Sequence, residues 1–238
     1  MKRLIMTLVL FTGLNVFAED MMKYLMNTEK LAQEGKNQEA LEGFVWLYDH
    51  ALEHDPAFSA VRLSAVLSYW KELADKYPPA LKALQEVRDR ESELIKGGKG
   101  TWETFHEVMY LNRILKEEEK SIELFIFMDE KYPELAKKCW NLINSKMIAA
   151  KRFDLVRKYL PNPNLMKEFN KIALYYKTKV LRYKTPEDET LKKFDEDSFV
   201  NKTLDLIITA RDVIKDNRMA EEIRKKAFEI LPDLRLKQ

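Results

Sequence analysis

Between residues 20 and 231 apolar positions recur every three or four residues, with no convincing stretch of the alternation that a strand requires. Ala40, Phe44, Leu47 and Ala51 share one helical face, and Ala220, Ile223, Ala227 and Leu231 share another. Pro56, Pro78, Pro79, Pro133, Pro161, Pro163, Pro186 and Pro232 stand between or at the ends of these stretches, and Gly97, Gly98 and Gly100 cluster in one break. The pattern predicts an all-α chain of about eleven helices, near 20–34, 38–54, 57–76, 79–96, 101–116, 118–131, 134–149, 153–160, 164–183, 190–215 and 217–231. Short connections make consecutive helices antiparallel, and stacked antiparallel pairs build an α-solenoid.

One segment gives the pairs a more specific character. Trp140, Ile143, Asn144 and Met147, followed by Phe153, Val156 and Leu160, resemble the tetratricopeptide repeat, a helix pair of about 34 residues with large and small packing positions on both helices. Three other pairs carry parts of the same pattern. Gly35 and Asn37 with Ala40, Phe44 and Leu47 form the first, and Trp102, Phe105 and Met109 with Ser121, Phe125, Met128 and Pro133 form another. Leu204, Ile207 and Ile208 with Asn217, Ala220, Ala227 and Pro232 form the last, although Arg224 stands where the family usually has an aromatic. The segment from Pro56 to Pro79 fits either phase, because Trp70, Leu73 and Pro78 also suit the end of a second helix. A generic helical bundle is the alternative to the solenoid.

The glycine break divides a region 19–96 from a region 101–238 and is the expected hinge. It is not a phosphate loop, which needs a preceding strand and Gly-Lys-Ser/Thr, whereas Lys99 is followed by Gly100. Residues 1–18 read as a secretory signal: Lys2 and Arg3 precede an apolar run from Leu4 to Phe17, and Val16-Phe17-Ala18 offers a cleavage site. The run falls short of the roughly 20 residues that span a bilayer. The expected protein is exported, periplasmic or secreted, and does not span a membrane once cleaved.

Charge and cysteine content narrow the functional classes. Lys and Arg number 41 and Asp and Glu 39; removing Lys2 and Arg3 leaves 39 of each, so no global charge points to nucleic acid. The single cysteine, Cys139, cannot form an internal disulfide and reads as a packing residue beside Trp140. His50 and His54 lie one turn apart near Asp49, Glu53 and Asp55, which makes them weak metal candidates without a third ligand. No nucleophile signature surrounds Cys139, and nothing after Glu91-Ser92 resembles the motif of superhelical lytic transglycosylases. Asn201-Lys202-Thr203 fits a glycosylation acceptor, which matters only in a eukaryotic source.

Tryptophans and tyrosines supply the remaining candidates. Trp102 and Trp140 fall at packing positions, whereas Trp46 and Trp70 are free to reach a groove. Tyr175 and Tyr176 stand among Lys177, Lys179 and Arg182, a combination suited to an acidic peptide or glycan, with a solvated helix face as the plain alternative. The repeat resemblance implies a non-catalytic module that binds another protein or peptide on the concave face of the solenoid, with no cofactor. On that resemblance, inner-face residues would include Asn27, Asn112, Asn144 and Arg211. The alternative is a small exported metal-dependent enzyme or a binder of glycans or small molecules.

Overall fold

The computed structural model describes residues 18–160 and 164–237. The expected secretory signal therefore lies outside the described residues, apart from Ala18, as do Pro161 and Pro163. The described residues form eleven helices and no strand: α1 Ala18–Gln33, α2 Asn37–His54, α3 59–74, α4 Pro78–Lys96, α5 Trp102–Leu115 and α6 Glu119–Lys131. They continue with α7 Pro133–Ala149, α8 Phe153–Tyr159, α9 Leu165–Val180, α10 189–214 and α11 Asn217–Ile230. None is long and apolar enough to cross a membrane.

Local chemistry sets the ends. Pro78 and Pro133 open α4 and α7 at a position where the missing N–H costs no hydrogen bond. Thr101 caps α5 in a reciprocal pair with Thr104, and the side chains of Asn164 and Asp216 accept from Lys167 and Met219 to cap α9 and α11. Four helices close with the same bond, from an N–H to the carbonyl five residues back: Lys36 to Leu31, Lys99 to Leu94, Glu117 to Asn112 and Arg152 to Met147. The residue just before each of these donors is left-handed, and it is Gly35, Gly98, Lys116 and Lys151 in turn. Two stretches widen into π-helix, 62–66 within α3 and 209–214 at the end of α10.

The chain packs as two compact units that divide between Ser121 and Ile122. In the first, α1 pairs with α2 and α4 with α5, while α3 packs on α2, α4 and α5. Ala40, Phe44, Leu47, Ala51, Trp70, Leu73 and Leu84 are wholly buried in its core. Contrary to expectation Trp70 is no groove residue: its indole donates to the Ala80 carbonyl at 3.1 Å inside the core. Helices α1 and α2 approach closely because position 43 is glycine; a Cβ there would lie 2.7 Å from the Thr28 side chain.

The glycine break lies inside this unit, not at the divide. Gly98 adopts φ 75° and turns the chain so that α5 folds back along α4. Arg88 of α4 then donates to Asn112 Oδ1 at 3.0 Å and pairs with Glu117, tying the two sides of the break together. In the second unit α7 pairs with α8, α10 packs on α9 and α11, and α7 and α8 lie against α10 and its π segment. Phe125 of α6 meets Trp140 and Tyr159 ring to ring at 5.8 and 5.7 Å. Trp140 and Cys139 are buried as the sequence implied.

Candidate functional site

In the second unit the packing of α10 against α7 and α9 leaves three adjoining hollows. A cleft of about 390 Å³ is lined by Trp140, Asn144, Ser145, Glu168, Lys202 and Asp205 among others. On the other flank a shallower hollow of about 580 Å³ is bordered by Ile148, Phe194, Ser198 and Asn201, and again by Ser145, Lys202 and Asp205. A third, of about 180 Å³, opens between α9 and α10 at Lys171, Ile172, Tyr175, Tyr176, Ser198 and Phe199, with Asp195 and Lys202 at its edge. Residues 194, 198, 202 and 205 follow helical spacing, so one stripe of α10 serves all three hollows, and Lys202 lines each of them.

Polar groups meet at Asp205. The Ser145 hydroxyl of α7 donates to Asp205 Oδ2 at 2.5 Å, and the Asn144 side-chain carbonyl accepts the Ser145 N–H at 2.7 Å. Burial between the helices raises the Asp205 carboxyl above the ordinary range, and the Ser145 hydrogen bond opposes that shift. Lys202 makes no ion pair with any described residue. The chain's three histidines, His50, His54 and His106, all lie in the first unit, so the hollows hold carboxylates, hydroxyls, amides and the ammonium groups of Lys171 and Lys202 but no imidazole.

The residues singled out in the sequence scatter. Asn144 lines the cleft, and Tyr175 stands exposed at the small hollow with the Lys179 ammonium 5.5 Å from its ring centre. Tyr176 points inward, stacks on Phe199 with ring centres 4.7 Å apart and lines the small hollow. Lys177 and Arg182 are exposed but border none of the three hollows. Arg211 is exposed and pairs with Asp212 at 2.8 Å, and Asn27 is exposed on α1 of the first unit. Asn112 is no surface residue: it is wholly buried, accepts from Arg88 and donates to the Ser121 hydroxyl at 2.9 Å.

His50 and His54 both pack on Trp46, with ring centres 5.8 and 5.5 Å away, and His50 Nδ1 lies 3.3 Å from Glu53. No group of three metal-binding side chains occurs among the described residues. Trp102 was expected in the core, yet it is more than a third exposed and lies beside His106 at 4.9 Å. Sequence reasoning missed Ser145, Lys202, Asp205 and Phe194. The only signal for the last three is their three- and four-residue spacing along α10, which does not say that Ser145 of α7 packs against it.

A second concentration of polar side chains lies inside the first unit and is closed. Arg62, in the π segment of α3, donates to the Tyr48 carbonyl at 3.1 Å, covers the Tyr48 ring at 4.6 Å and pairs with Glu107. The Tyr48 hydroxyl donates to the other Glu107 oxygen at 3.1 Å, and burial followed by the Glu107 charge pushes its pKa far above the ordinary phenol. Arg90 extends the polar set by bonding Asp49 at 2.7 Å and Glu91 at 3.0 Å. Apart from Arg62 Nε, which is buried without a hydrogen-bond partner, these groups satisfy one another. Compared with protein-family models, curated proteins and solved structures, the chain finds no match.

Proposed function

We propose that this chain is an exported, non-catalytic protein-binding module built of tetratricopeptide-like helix pairs, and that the hollows along α10 receive a segment of its partner. The observation that carries the reading is the clustering of exposed apolar side chains at hollows whose mainly apolar walls also carry polar groups. Phe194 is 70% exposed at the edge of the hollow beside α7, Tyr175 is 55% exposed at the small hollow, and Leu191 is 57% exposed one turn before Phe194. Apolar groups left in water around a recess that offers hydrogen-bonding partners favour association with another protein.

Export rests on the charged start and apolar run of the first 18 residues. Among the residues whose burial is described, the first member of the core is Met21, past the expected cleavage after Ala18. The test is a photo-crosslinking amino acid placed at position 194 in cells of the source, with exposed Glu86 of the first unit as control position. A discrete adduct from 194 and none from 86 supports the reading. No adduct from 194, or the same adduct from both positions, overturns it.

A further inference from the structure

Resting on the binding-module reading, we infer that the partner segment is acidic and that one of its large apolar side chains enters the hollow between α9 and α10. The size of this hollow selects the anchor. At about 180 Å³ it is smaller than the roughly 300–1,000 Å³ of sites that enclose whole small molecules, and it suits a single side chain. Ile172, Tyr175, Tyr176 and Phe199 make its walls mainly apolar, and the stacked pair of Tyr176 and Phe199 gives it a rigid floor.

The charges around it select what flanks the anchor. Lys171 and Lys202 border the opening from the two helices. Lys202 has no ion-pair partner among the described residues, and Lys171 is held by Glu168 in an exposed pair of the kind that contributes little. The one carboxylate at the hollow, Asp195, accepts the Tyr183 hydroxyl and is outnumbered by the two ammonium groups. Of the charged residues that line the hollow, two are ammonium groups and one is a carboxylate; beyond them α9 carries Lys167 beside Glu168, and α10 carries the acids Glu196 and Asp197 with Lys192 and Lys193. Asp or Glu beside the anchor therefore meets the free ammonium of Lys202, which a basic partner leaves unpaired.

The test is a randomised dodecapeptide phage library panned on the purified protein, followed by fluorescence anisotropy of the enriched peptides. Acidic peptides with one phenylalanine, tyrosine or leucine are expected, weakened at least ~10-fold by Lys171→Glu with Lys202→Glu and weakened further as salt rises. Ser198→Trp, which fills the hollow without changing its charge, should remove binding of the same peptides. Neutral or basic peptides, or acidic ones indifferent to these substitutions, overturn the inference while a position-specific adduct at 194 still upholds the module. Failure of both the panning and the crosslinking removes the two together.

Discussion

Ser145 and Asp205, sixty residues apart in sequence, meet across α7 and α10 through a hydroxyl that donates to a half-buried carboxylate. The contact closes the floor shared by two of the hollows in the second unit. Because burial raises the carboxyl pKa in the folded state, folding favours the protonated form, and ionisation weakens the unit. Stability from this residue is greatest below the ordinary carboxylate pKa and is lost as pH rises through the raised folded value. Asp205→Asn keeps an oxygen for Ser145 and removes the charge. Urea unfolding should show the variant gaining on the wild type as pH rises from 3 to 7, and a gap that stays constant or narrows refutes the assignment.

Arg62 and Glu107 are a buried pair whose value lies in completeness. Glu107→Ala strands the guanidinium, and loss of about 3–5 kcal/mol in the first unit is expected. Arg62→Met combined with Glu107→Leu removes both charges and should cost less than the single change, the remainder being the Tyr48 hydroxyl and carbonyl left without these partners. Denaturant titration of the two variants decides, and a double variant as weak as the single one would show that packing rather than charge holds the site.

Gly43 sets the approach of α1 to α2. An alanine there gains helix propensity of about 1 kcal/mol but drives its methyl into Thr28, whose hydroxyl is fixed to the Tyr24 carbonyl at 2.9 Å. Overpacking of this kind costs about 1–3 kcal/mol, so Gly43→Ala should be neutral to destabilising. Adding Thr28→Ala should recover the loss. A double variant no better than Gly43→Ala would exclude Thr28 as the obstacle.

Lys116 and Lys151 hold left-handed backbone at helix ends with φ 59° and 57°. That conformation costs a side-chain-bearing residue about 1–2 kcal/mol, against about 0.5–1 kcal/mol of extra chain entropy lost by glycine. Lys116→Gly and Lys151→Gly should each stabilise by about 0.5–1 kcal/mol, read as a rise in thermal midpoint. A fall in either would mean that the lysine side chain contributes something the backbone geometry does not show.

Five of the helices were legible in part because they carry their own punctuation. Proline opens α4 and α7, capping side chains open α5, α9 and α11, and the buried stripe of Ala40, Phe44, Leu47 and Ala51 is the one the periodicity marks. Glycine was a poorer guide, since Lys116 and Lys151 end helices in the geometry used by Gly35 and Gly98. The π segments left no trace in the pattern, yet one of them carries Arg62 into the core.

Polar residues at apolar positions misled in both directions. Asn112 read as a surface group because it is polar, but Arg88 and Ser121 satisfy it inside. Tyr176 was grouped with Tyr175, although Phe169, Ala173 and Tyr176 share one buried stripe that the spacing alone could have separated. The hollows themselves were invisible because Ser145, Lys202 and Asp205 become neighbours only when α7 packs on α10.

Lys99 sits exposed in the glycine turn between α4 and α5, where a protease has ready access. A cut after it breaks one peptide bond and none of the contacts that Arg88 makes with Asn112 and Glu117. The cleaved first unit should therefore hold together as two fragments until a denaturant parts them, chain continuity at the glycines being dispensable once the helices have met.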